Sequence, residues 1–92
     1  MQINTKQNIE YAEILKAMAH PARLCIIKNL IKEGGCTVSY MQSCTGRPQS
    51  TLSQHIAKLR TLKIITGTRN GKEIKYEVTS DLVKSIINVL YD

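Results

Sequence analysis

The stretch RPQSTLSQHIAKLRTL, Arg47–Leu62, decides the fold. Pro48 suits the opening of a helix, because its fixed φ fits the first turn and its missing N–H has no partner there anyway. Leu52, Ile56 and Leu59 recur at i, i+4 and i+7, which places them on one face. At about 100° per residue the opposite face carries Ser50, Gln54, Lys58 and Thr61, with Ser53 and Ala57 beside them. That face holds hydroxyls, an amide and a cation, and no acid. Such groups bond to base edges and phosphate oxygens, which carboxylates would repel. The plainer reading of the same face is ordinary solvation, and the flanking sequence decides between the two.

Upstream, Val38 to about Cys44 reads as a short helix with Thr37 as its N-cap and Val38 and Met41 facing inward. Thr45-Gly46-Arg47 turns from it into the longer helix. A short helix, a glycine-containing turn and a polar-faced helix form the helix-turn-helix pattern, whose second helix enters the major groove. Downstream of Leu62 the periodicity changes from 3.6 to 2. Residues Ile64–Thr68 read as a strand, Asn70-Gly71 as a two-residue hairpin turn, and Ile74, Tyr76 and Val78 as the inward positions of a returning strand. Arg69, Asn70 and Lys72 fall at the tip. A hairpin with a basic tip behind a helix-turn-helix is placed as a wing that reaches phosphate or a minor groove.

The outer helices frame this unit. A first helix spans about Lys6–Ala19, with Tyr11, Leu15 and Met18 in one stripe widened by Ile14 and Ala12. His20-Pro21 ends it, and Pro21 opens a second helix to about Glu33 with Leu24, Ile27 and Ile31 inward. Gly34-Gly35 supplies its left-handed stop. Asp81 or Ser80 caps a last helix to about Tyr91, in which Leu82, Val83, Ile86, Ile87, Val89 and Leu90 cover more than half the circumference. That exceeds what a small core can hide, so the face is expected to meet a second copy together with the first helix.

The expected architecture is one domain over residues 1–92, mainly α with a small β-hairpin wing (α+β), in the order α-α-α-α-β-β-α. Ninety-two residues bury only a modest core, and without Phe or Trp it must be aliphatic. The formal charge is +6. The excess is concentrated in residues 36–79, where seven basic residues accompany two acidic ones, as an electrostatic footprint for nucleic acid would be. Three cysteines, an odd number at scattered positions, make no disulfide framework. The N-terminus MQINTKQNIE lacks the apolar run of a leader, and no apolar stretch approaches the roughly 20 residues that cross a bilayer. The expectation is a cytoplasmic protein without a membrane partner. No nucleophile–base pair, phosphate-cradling glycine loop or carboxylate dyad is present, so an enzyme is not expected.

Three strings together resemble the ArsR/SmtB family of bacterial winged-helix repressors: LKAMAHPARLCIIKNL at Leu15–Leu30, PQSTLSQHIAKLR at Pro48–Arg60, and GTRNGKEIKYEVTS at Gly67–Ser80. The resemblance implies a homodimer joined through its first and last helices, two recognition helices in successive major grooves of a palindromic operator, and repression relieved by an effector. It implies base and phosphate contacts from Gln49, Ser50, Thr51, Ser53 and Gln54, and phosphate contacts from the wing residues Arg69 and Lys72. Lys58, Arg60 and Lys63 add cationic charge nearby. Arg23 matches an arginine that is usually structural in such domains. His55 matches a frequent histidine of the motif and, lying at the core edge on a helical wheel, is expected to be structural rather than a DNA contact.

The usual metal ligands of such repressors are not matched. Thr37 and Ser39 stand where a Cys-x-Cys pair is used, and Asp81 alone occupies the ligand positions of the last helix. No metal, no cofactor and no particular effector is therefore expected. Cys36, Cys44 and Cys25 are the candidates for a thiol-based redox response. If Cys36 and Cys44 lay on one helix they would stand roughly 12 Å apart along its axis, too far for a disulfide. Cys25, beside Leu24, is expected to be half-buried. A winged-helix module that binds an acidic protein partner rather than DNA is the alternative reading.

Overall fold

A computed structural model describes residues 5–91. The domain expected over 1–92 thus has residues 1–4 and 92 outside the described residues. Eight elements follow in order: α1 (Thr5–Met18), α2 (Pro21–Glu33), β1 (Cys36–Thr37), α3 (Val38–Thr45), α4 (Gln49–Thr61), β2 (Ile65–Asn70), β3 (Glu73–Val78) and α5 (Asp81–Leu90). The expected helices and hairpin are all present, within a residue or two at their ends. One element was not expected: β1 turns the hairpin into a three-stranded antiparallel sheet of order β1-β3-β2, through Cys36 opposite Tyr76 and Thr37 opposite Lys75.

Local chemistry sets the helix ends. Thr37 caps α3 by accepting from the Tyr40 N–H at 3.2 Å, and Ser80 caps α5 by accepting from the Val83 N–H at 3.2 Å. His20 does more than break the first helix: its Nδ1 accepts from the Ala22 N–H at 3.1 Å and so caps α2. Pro48 stands one place earlier than expected, as the extended residue before α4 rather than its first helical residue. Gly34 closes α2 in the left-handed conformation, as expected.

At the end of α4 the Lys63 N–H donates to Arg60 O and the Ile64 N–H to Leu59 O, the paired bonds of a Schellman stop. Its left-handed position, normally glycine, is held by Lys63 at φ 59°. The buried side chains of Leu59 and Ile64 flank the stop on its apolar side.

The core gathers Ala17 and Met18 from α1, Ile26, Ile27 and Leu30 from α2, Met41 from α3, and Leu52, Ile56 and Leu59 from α4. Ile64, Ile65, Tyr76 and Val78 join from the sheet side, and Val83 and Ile87 from α5. The three α4 residues are at most 3% exposed, and each buried aliphatic side chain stabilises by about 1.5–3 kcal/mol. The inward face of α2 is rotated from its expected position. Ala22, Ile26, Ile27 and Leu30 are fully buried, while Leu24 and Ile31 pack only partly against the core.

The hairpin turn also shifts by one residue. Asn70 pairs with Glu73, which leaves Gly71 and Lys72 as the two turn residues. Gly71 has φ 68° and Lys72 has no positive φ. Positive φ at the first central residue alone is a type II′ turn with glycine where that turn needs it, one residue on from the Asn70-Gly71 turn expected from sequence.

Candidate nucleic-acid interface

Because α4 places Leu52, Ile56 and Leu59 in the core, its other residues have fixed directions. Gln49, Ser50, Ser53, Gln54, Lys58 and Arg60 are exposed, and Thr51 is half-buried at the edge of the face. No acidic residue occurs between Gln49 and Thr61. The wing meets this helix at its start. Gln49 and Ser53 of α4, Ser39 at the start of α3, and Lys72 and Glu73 of the wing line a cleft of about 300 Å³. The cleft floor includes Val38, Ile74 and Tyr76, and Glu73 is its one acidic lining residue.

The position of the wing depends on a close approach. Gly67 of β2 pairs with Tyr76 of β3, and a Cβ there would stand 2.9 Å from Tyr76 Cε1 and 2.8 Å from Ile74 Cγ2. Only glycine leaves room for the Tyr76 ring. The Arg60 guanidinium lies 5.7 Å from the centroid of that ring, a cation–π distance, so Arg60 ties the last turn of α4 to the wing. Arg69, opposite Ile74 near the tip, and Lys72 in the turn are both exposed. The structure therefore brings Gln49, Ser53 and Lys72 together, and spreads Ser50, Gln54 and Lys58 along the open side of α4. Arg60 is held further back against Tyr76.

The cysteines lie on three elements. Cys36 is buried on β1, just before α3, so the one-helix spacing considered for Cys36 and Cys44 does not apply. Burial, and secondarily Cys44 and Glu33, pushes the Cys36 thiol above its ordinary pKa. Cys44, near the end of α3, is exposed, and its thiol bonded to the Tyr40 hydroxyl holds that hydroxyl above the usual tyrosine range. Cys25 is exposed rather than half-buried, with its sulfur 3.6 Å from Asn29 Nδ2. Among the described residues no group of three or more His, Cys, Asp or Glu side chains could hold a metal ion.

His55 is half-buried at the core edge. Its Nδ1 accepts from Arg23 Nε at 3.3 Å, and its ring lies 4.9 Å from that of His20. Sequence placed His55 and Arg23 separately as structural residues. Their contact spans 32 positions, and no local pattern could have shown it.

A helix-turn-helix with an acid-free outer helix and a basic hairpin beside it defines a winged helix-turn-helix DNA-binding protein. A family model described as a helix-turn-helix domain matches residues 18–68. The chain is 38% identical over 96 residues to the transcriptional repressor PagR of Bacillus anthracis, covering 98% of this chain and 96% of the relative. It is 31% identical over 75 residues to the transcriptional repressor SmtB of Mycobacterium tuberculosis, covering 82% of this chain and 55% of the relative. The crystal structure of PagR superposes with a TM-score of 0.85 over 92% of this chain and 97% of that one. HlyU from Vibrio cholerae superposes at 0.88, with 31% identity, over 95% of this chain and 94% of that one. The chain belongs to the ArsR/SmtB-type helix-turn-helix family of DNA-binding transcriptional regulators, and is not an enzyme.

Proposed function

We propose that the chain is a cytoplasmic homodimeric repressor that binds a palindromic operator in duplex DNA, each α4 lying in a major groove and each wing reaching the flanking backbone. The observation that carries this is the convergence of Gln49, Ser53 and Lys72 at the start of an outer helix face without acid. In this reading Gln49, Ser50, Ser53 and Gln54 discriminate bases, and Thr51, at the face's edge, meets phosphate. Lys58, Arg60, Lys63, Arg69 and Lys72 neutralise phosphates.

The second copy is argued from α1 and α5. Ile9 and Leu15 of α1 are 57% and 53% exposed, and Val89 and Leu90 of α5 are 80% and 58% exposed. Tyr11, Leu15, Leu82 and Ile86 line one apolar cleft, so the two helices form a continuous face. An apolar face of this kind marks an interaction site, and a twofold pairing of α1 and α5 makes the whole chain, residues 1–92, one dimerising domain.

A thiol response, if it accompanies this function, rests on the exposed Cys44 and Cys25. The buried Cys36, with its thiol pushed up, is a weak nucleophile.

The test is a gel-shift titration against DNA from the chain's own promoter with random competitor, run with and without the thiol oxidant diamide. Specific DNA is expected to win by about 10³-fold or more, with steep loss as salt rises. Equal binding to both DNAs would replace the regulator with a module for an acidic protein partner. Unchanged binding in diamide would remove the thiol response.

A further inference from the structure

Arg23, at the third position of α2, reaches two other helices. Its Nη1 donates to Ala17 O at 3.4 Å, at the C-terminal end of α1 where carbonyls lack helical partners. Its Nε donates to His55 Nδ1 at 3.3 Å, in the middle of α4. One guanidinium thus links the α1–α2 junction to the helix proposed to enter the major groove. The His55 ring lies 4.9 Å from the His20 ring, inclined by 58°, and His20 Nδ1 accepts from the Ala22 N–H. Both imidazoles therefore act as acceptors through Nδ1, which places the proton of each neutral ring on Nε2.

We propose that Arg23 and His55 are positioning residues for α4, and that with His20 they form a proton-sensitive latch on operator binding; this rests on the DNA-binding reading above. An imidazolium has no acceptor nitrogen. Protonation of His55 removes the bond from Arg23 and turns a second donor toward the guanidinium.

The groups around His55 do not offset this. His20 at the α1–α2 junction, Arg23 on α2 and Arg47 in the segment before α4 act on it, and all three oppose its charging. Burial is the larger cause, and together they hold His55 below its ordinary value of 6.5. The folded protein thus favours the neutral ring more than the unfolded chain does. The latch is at full strength above about pH 6.5 and is lost as pH falls from there through the lower folded value. Simple charge counting gives the opposite sign, since added protons attract phosphate.

The experiment measures operator affinity by fluorescence anisotropy from pH 8.0 to 5.5 at constant ionic strength. It compares the full chain with His55→Gln, whose amide oxygen can accept from Arg23 but does not titrate. Imidazole NMR shifts and Tm of the free protein are followed over the same range. The wild type is expected to lose about three-fold or more in affinity between pH 7.5 and 5.5, the loss steepening toward the acid end as the His55 ring protonates. His55→Gln is expected to bind more weakly at pH 8.0, with a pH profile flatter than that of the wild type. Affinity that rises or stays level on acidification overturns the latch, and so does a His55→Gln profile parallel to the wild type. If His55→Gln fails to fold, the wild-type titration decides: a His55 ring that protonates at or above its ordinary value overturns the proposal. Loss of operator preference at pH 8.0 would instead sink the DNA-binding reading, leaving the latch to be judged by the ring titration and by Tm.

Discussion

α4 and α5 are both amphipathic, and they dispose of their apolar residues in opposite ways. In α4 the large aliphatic side chains Leu52, Ile56 and Leu59 are all in the core, and what faces outward is polar or basic. In α5 only Val83 and Ile87 are fully buried, while Leu82, Val89 and Leu90 stand exposed. The outer face of α4 is chemically complete in water and suits a polyanion that offers acceptors. The outer face of α5 is not satisfied by water and calls for another apolar surface. Two partners of different chemistry thus suit the two helices, a nucleic acid for α4 and, as proposed, a second copy for α5.

The contrast breaks most severely when the anchor of α4 is removed. Leu59→Ala is expected to destabilise the fold by about 2–5 kcal/mol, read as a lower urea midpoint, because the residue is fully buried where α4, its Schellman stop and the sheet meet. The mirror experiment on α5 should leave the fold intact. Val89→Asp is expected to give a folded monomer by sedimentation, with operator affinity reduced about 10²-fold or more through loss of the second half-site contact. A dimer that survives this change would move the twofold interface elsewhere.

Within the α4 face the expected effects are smaller and divide by role. Gln54→Ala should cost about 1–3 kcal/mol on the operator and little on random DNA, whereas Lys72→Ala should weaken both alike and lower the salt slope by about one. Equal losses on both DNAs for both variants would erase the distinction between reading and anchoring. The smallest effect concerns Lys63. Relieving its left-handed backbone with Lys63→Gly should raise stability by about 0.5 kcal/mol, seen as a slightly higher Tm, while one phosphate contact is lost.

The difference between the two helices was legible in the sequence, because both amphipathic patterns are local. The i, i+4, i+7 spacing of Leu52, Ile56 and Leu59 and the alternation of Ile74, Tyr76 and Val78 needed no tertiary information. What the sequence hid was long-range or was decided by pairing. β1 is only two residues long and exists because β3 lies beside it. The turn sits at Gly71-Lys72 because strand register prevails over the local preference of Asn-Gly. The rotation of α2 toward Ala22, Ile26 and Leu30 reflects neighbours that its own periodicity could not specify. Among the site residues, the exposed places of Ser50, Gln54 and Lys58 followed from the wheel. The grouping of Gln49 and Ser53 with Lys72, the Arg60–Tyr76 contact and the Arg23 bridge required the folded chain.

The central claim is that polyanion and partner meet different helices, and NMR titration of the labelled protein with a duplex from its own promoter tests it directly. The account predicts backbone amide shifts concentrated at 49–54 and 69–72, with those of 82–90 unmoved. Shifts centred on α1 and α5, with 49–54 silent, would contradict it.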